Sequence, residues 1–144
     1  MVRSHAFVLS AVFLAAWWVV LPWVNYNEGT SKNITVTVVA EPFLNADTLV
    51  YRWNGDIVRS CENEVRRSIV DSNSVVTRLT PKSFGKLPRS KLGRASYEIS
   101  VAVPVTIAVG KAQYIAVEVP RCSWLQRVFP VEIPYPVVDF TVTR

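Results

Sequence analysis

From Ala6 to Val24 the chain carries no charged residue and, apart from Ser10, no small polar one. A helix over that run rises roughly 28 Å at about 1.5 Å per residue, close to the ~30 Å of hydrocarbon that one spanning helix must match. No later stretch is comparable, so the chain is expected to be an outer domain held by one membrane tether. A helix buried in a soluble domain would need a polar face, and this run has none. A cleaved secretory signal competes for the same features, because Arg3 gives it a basic start. Its end fits poorly: Trp17, Trp18, Pro22, Trp23, Asn25 and Tyr26 occupy the stretch where small residues should precede cleavage.

The reading adopted is an uncleaved signal anchor over residues 1–26, a short linker over 27–32 and one outer domain over 33–144. Trp17, Trp18, Trp23 and Tyr26 are expected at the membrane interface. Pro22 lies near the helix end, where only the last turn loses a hydrogen bond. Arg3 precedes the run and Glu28 is the first charged residue after it. The positive-inside rule then places the N-terminus in the cytoplasm and residues 27–144 in the periplasm or outside the cell.

Cys61 and Cys122 are the only cysteines. An even count in an exported domain reads as a disulfide, and closing a loop of about 60 residues would stabilise the fold by roughly 4 kcal/mol. Two unpaired thiols in a reducing compartment are the alternative. With no histidine near either cysteine, a zinc site is not expected.

Beyond Lys32 the chain alternates β-branched and polar residues, the mark of half-buried strands. Ile34, Val36, Val38 and Ala40 share one parity; so do Tyr97, Ile99, Val101, Val103 and Val105, then Ile115, Val117 and Val119, then Val138, Phe140 and Val142. Weaker candidates are 49–53, 65–70 and 75–79. Asn54-Gly55 favours a tight hairpin turn, and Pro81 to Gly93 reads as a long connection. No segment after residue 30 has a helical period. About seven short antiparallel strands predict a two-sheet sandwich of the immunoglobulin type. The cysteine spacing suits a bridge between the sheets with Trp53 near it. The tyrosine corner of antibody domains is missing, since the tyrosine nearest before Cys122 is Tyr114. A different strand order therefore stays open.

Catalytic chemistry finds little support. The single histidine, His5, lies at the edge of the apolar run, which leaves serine or cysteine nucleophiles without their usual base. Ser90-Lys91 are adjacent, and adjacent residues on an extended chain point apart. Glu62 and Glu64 would share a strand face as a glycosidase pair needs, yet Arg66 and Arg67 follow them, and a surface strand of paired charges is the preferred reading. The five glycines are isolated, so no phosphate loop exists. No enzyme activity, catalytic residue, metal or cofactor is expected.

One segment stands out by charge. Arg78, Lys82, Lys86, Arg89, Lys91 and Arg94 occur together with no acidic residue between them, in a chain of net charge +5. With Pro81, Gly85, Pro88 and Gly93 it reads as a long basic loop anchored by Phe84 and Leu87. Such a loop suits an acidic protein or an anionic envelope component, with nucleic acid disfavoured outside the cell. The alternative is a solvated loop that protects a sheet edge.

Tyr51-Arg52, Cys61 with Arg66-Arg67, Ile69-Val70-Asp71, Tyr97 to Pro104 and Tyr114 to Cys122 together resemble small membrane-anchored proteins encoded by bacteriophages and prophages. These have one N-terminal apolar helix and one cysteine-bearing β-domain, with no settled function. The resemblance implies a bacterial inner-membrane location with the domain in the periplasm, and it carries over no catalytic residue. The expected function is that of a binding module: lipid holds the helix, and the basic loop engages a protein or envelope component. The alternative is a structural subunit of a membrane or virion assembly, self-associating through the helix with Trp17, Trp18 and Trp23 at the contacts.

Overall fold

The computed structural model describes residues 17, 18, 20, 23, 26–42 and 47–143. Most of the expected anchor, His5 and the predicted cytoplasmic N-terminus lie outside the described residues. Of the anchor, Trp17, Trp18, Val20 and Trp23 are described as helical and exposed, and Tyr26 as a half-buried turn residue. Among the described residues no helix is long and apolar enough to cross a membrane.

Alternation becomes strands where the sequence predicts them. β1 is Ser31–Ala40, β2 Thr48–Ile57, β3 Glu62–Val70, β4 Val76–Phe84, β5 Gly93–Ala102, β6 Gly110–Arg121, β7 Ile133–Pro134 and β8 Val138–Val142. They form two antiparallel sheets. One runs β1-β2-β5, the other β4-β3-β6-β7, with β8 on the same side of β6 as β7 but nearer its start. Pro134 and Pro136 explain why the last strand is split, because neither ring nitrogen can donate to the ladder. Between the sheets lies one core built from inward residues such as Leu49, Ile69, Val101, Tyr114 and Phe140. Burial of such residues is the main favourable contribution to the fold.

The structure corrects the sequence expectations at several points. Asn54-Gly55 makes no turn: β2 runs through both residues, which pair with Ser96 and Ala95 of β5. Gly55 is required by packing instead, since a Cβ there would sit 2.8 Å from the Trp53 indole and 3.3 Å from the Lys32 carbonyl oxygen. The disulfide is formed, with Cα atoms 4.9 Å apart, but it does not join the two sheets. Cys61 precedes β3 and Cys122 follows β6, and Glu62 pairs with Arg121 in the same sheet, so the bond extends that ladder by one rung.

The face of β6 is also inverted. Ala112, Tyr114, Ala116 and Glu118 are the buried set that alternates with half-buried Ile115 and Val117, and Ala112, Tyr114 and Ala116 belong to the core. Both parities of β6 are largely apolar, so the pattern could not choose between them, and a one-residue slip exchanges every side chain. Finally, a short helix exists where none is expected: α1, Trp124–Val128. Ser123 caps it, accepting from the Gln126 amide, which is the Ser-x-x-Gln start signal acting over too few residues to show a period.

The segment read as a linker is packed. Gly29 and Thr30 are buried, and β1 already begins at Ser31. Thr30 donates from its amide to Glu118 Oε1 at 2.9 Å, and its hydroxyl donates to the same oxygen. Gln126, 1% exposed, donates to the Tyr26 and Glu28 carbonyls at 2.7 and 3.3 Å. Residues 26–30 thus form a strap held against β6 and α1.

Candidate functional site

The sheet order leaves one side of the sandwich open. β4 ends one sheet and β5 ends the other, and among the described residues no strand pairs with the outer edge of either. Between them lies a cleft of about 610 Å³. Tyr51, Tyr114 and Ala116 lie at its base; Trp53, Tyr97 and Ile99 line it from the three-stranded sheet; Val65, Arg67, Lys82 and Phe84 line it from the other. Aromatic rings dominate, with Tyr51 and Tyr114 centroids 5.5 Å apart and Trp53 and Tyr97 5.8 Å apart. Trp53 and Cys61 line the same cleft.

Tyr97 shows what the opening does. By parity it faces inward with Ile99 and Val101, yet it remains 47% exposed because it lines the open cleft. Phe84 is half exposed for the same reason. Large apolar side chains kept wet in this way mark a surface that gains by being covered.

The polar groups of the cleft are few. Burial first, and then the neighbouring Tyr114 hydroxyl, push the Tyr51 hydroxyl well above the usual tyrosine range. Burial also raises Tyr114, against the opposing pull of its hydrogen bond with Tyr51 and then of the Arg67 guanidinium. Arg67 donates from its Nε to the Thr80 carbonyl at 3.2 Å, which points its charge across the bulge in β4. Tyr135 is pushed up by burial and by the adjacent Glu118 carboxyl, to which its hydroxyl donates at 3.3 Å. Neutral hydroxyls beside one guanidinium suit hydrogen bonding and orientation rather than proton abstraction.

The six predicted cations do not share one loop. Arg78 and Lys82 lie on β4, Lys86 in the crossover after it, Arg89 and Lys91 in a 3-10 turn, and Arg94 on β5 opposite Asp56. The loop is shorter than expected because Pro81 does not end the strand. It sits at a bulge on an edge strand, where a missing N–H costs no ladder bond. Of the six, Lys82 lines the cleft, while the crossover residues Lys86, Arg89 and Lys91 lie at one end of it. The Leu87 carbonyl accepts from the Ser60 hydroxyl, tying the crossover to the β2–β3 connection.

Glu62 and Glu64 face outward and are engaged by arginines. Arg66 reaches Glu64 at 3.1 Å and Glu132 at 2.6 Å, Arg121 reaches Glu64 at 3.2 Å, and Arg127 lies 4.0 Å from Glu62. Among the described residues no group of His, Cys, Asp or Glu could hold a metal ion. The cleft residues Tyr51, Trp53, Arg67, Tyr97 and Tyr114 were not legible as a site. Their inward parity is visible in the sequence, but the opening depends on which strands are edges. Comparison with known proteins gives no match: no family model fits the chain, and no curated protein sequence is similar to it.

Proposed function

We propose that this chain is a membrane-anchored binding module, with an immunoglobulin-like sandwich held in the periplasm by an N-terminal helix in a phage- or prophage-derived protein. The open cleft between β4 and β5 carries the reading, because its apolar walls stay exposed and its edges offer unpaired backbone groups. An extended segment of a partner protein would add to a sheet edge and seat alternate side chains in the cleft, while Lys82 and Arg67 favour an acidic residue among them. The strand order β1-β2-β5 against β4-β3-β6-β8 supports the immunoglobulin-like assignment. The apolar run over 6–24 and the charge asymmetry around it support the anchor and its orientation.

The test places a photo-activated benzophenone amino acid at Tyr97 of the full chain in its producing cells, with Val75, just before β4 and away from the cleft lining, as control. Adducts at 97 that are absent at 75, and weakened by Lys82→Gln, are expected. Equal labelling at both positions, or none at 97, would refute the cleft as the binding site. Assembly through the helix is favoured by one observation, the exposure of Trp17, Trp18 and Trp23. Adducts from those positions to a second copy of the chain would support that reading.

A further inference from the structure

We propose that the end of the sandwich bearing α1 and the β4–β5 crossover is seated on an anionic phospholipid surface, in the headgroup region of the bilayer that holds residues 6–24. The inference rests on the anchor reading and goes beyond it, because a tether alone says nothing about how the domain lies.

Contiguity is the first argument. The apolar run ends at Val24, two residues before Tyr26, so Tyr26 lies within about 8 Å of it along the chain. The Tyr26 and Trp23 ring centroids lie 6.2 Å apart, and the Tyr26 hydroxyl donates to the Phe129 carbonyl at 2.8 Å. Gln126 of α1 donates back to Tyr26 at 2.7 Å. These bonds place α1 beside the point where the chain leaves the apolar run. The headgroup layer on each side of the hydrocarbon is roughly 5–8 Å thick, so a bilayer around residues 6–24 reaches α1.

The chemistry of this end is the second argument. α1 buries Leu125 and Gln126 but turns Trp124, Val128 and Phe129 outward, at 52%, 61% and 58% exposure. Such a face, with Trp at the boundary, suits the zone between headgroups and acyl chains. The register brings the crossover to the same end: Gly93 pairs with Ile57, Ile57 with Ser31, and Glu62 with Arg121 just before α1. Here Lys86, Arg89 and Lys91 stand beside Leu87 and Leu92, both exposed. Cations interleaved with apolar side chains are the footprint of an anionic lipid surface.

The experiment uses the full chain in phosphatidylcholine–phosphatidylglycerol vesicles whose acyl chains carry bromine close to the headgroup. A Trp17→Phe/Trp18→Phe/Trp23→Phe background leaves Trp53, buried in the core, and Trp124, and subtracting a Trp124→Phe version isolates the latter. Expected is at least a twofold loss of Trp124 emission, reduced by Lys86→Gln/Arg89→Gln/Lys91→Gln and by high salt. If folding or insertion suffers in that background, fluorotryptophan in the unsubstituted chain gives the same readout through the broadening of the Trp124 resonance by a lipid-borne nitroxide. Unchanged Trp124 emission in a chain that resists alkaline carbonate extraction overturns the seating while leaving the anchor intact. Quenching indifferent to the three cations overturns it as stated. Extraction by carbonate overturns the anchor and the seating together.

Discussion

Glu118 is the group whose removal should change this protein most for its size. It is fully buried on β6, and its carboxyl accepts from the Thr30 amide at 2.9 Å, the Thr30 hydroxyl, the Asn63 amide at 3.1 Å and the Tyr135 hydroxyl at 3.3 Å. Gly29 is small for the same reason: a Cβ there would lie 2.8 Å from Glu118 Oε2. Glu118→Ala removes the acceptor. The hydroxyls can rotate toward other partners, but the Thr30 N–H cannot, and a buried donor left without a partner costs about 1–3 kcal/mol. The lost packing of the side chain adds about 1–2 kcal/mol. The expected loss is thus about 3–4 kcal/mol, which at about 0.24 kcal/mol/K for a domain of this size lowers Tm by about 15 °C.

Glu118→Gln keeps an oxygen for Thr30 and offers an amide that donates to Tyr135 in place of accepting from it. Its loss should be about 1 kcal/mol. Calorimetry on the detergent-solubilised full chain measures both, and amide exchange at Thr30 reads the strap directly, with at least a tenfold faster exchange expected in Glu118→Ala. A Tm within about 3 °C of the parent, or a Thr30 amide as protected as before, would refute the claim that Glu118 holds the strap.

The disulfide closes a loop with a sequence separation of 61, so reducing it should lower stability by about 4 kcal/mol in the chain-entropy model; an unchanged melting temperature in reductant would remove it from the account. Asp71 accepts from the amides of Val75, Asn73 and Ala108, and the Val75 bond above all holds its carboxyl below the usual aspartate range. A depressed pKa contributes stability above the unfolded value of about 3.9, and that stability is lost as pH falls through the folded value. Asp71→Asn should therefore flatten the fall in Tm between about pH 5 and pH 3, and parallel curves for the two proteins would count against the turn's dependence on this charge.

How far this structure is legible in its sequence depends on the range over which each signal acts. Strands announced themselves because alternation is local, and each of the seven expected segments overlaps a strand, although Val103 and Val105 lie beyond the end of β5. Errors came where a local signal met a distant partner. Asn54-Gly55 carries good turn chemistry, but the Trp53 indole lies over Gly55 and β5 pairs along the whole of β2. Pro81 reads as a stop, but an edge strand has room for it at a bulge. Ile115, Val117 and Val119 form an apolar set as good as the one that shares its parity with Glu118. What decides between the parities is Thr30, 88 residues earlier in the chain. The cations were legible as a cluster; that they divide among a strand edge, a crossover and a second strand follows only from the sheet order.

The strap also changes what the tether means for the binding reading. A free linker of residues 27–32 would let the domain turn in any direction, and the cleft would have no fixed aspect. Here Tyr26, Glu28 and Thr30 are each bonded to β6, α1 or the residue that ends α1. Reorienting the sandwich relative to residue 26 therefore requires breaking several bonds at once, those of Thr30 to Glu118 being buried. β4 and β5 run away from the strapped end, so on the anchored reading the cleft lies lengthwise outward from the bilayer, with its crossover end at the lipid. A partner reaching Tyr97 would then approach from the side, along the membrane, rather than from above. Glu118→Ala tests this link between stability and orientation: in the vesicle experiment it should weaken Trp124 quenching while leaving carbonate resistance unchanged. Undiminished quenching would mean that α1 finds the bilayer without the strap.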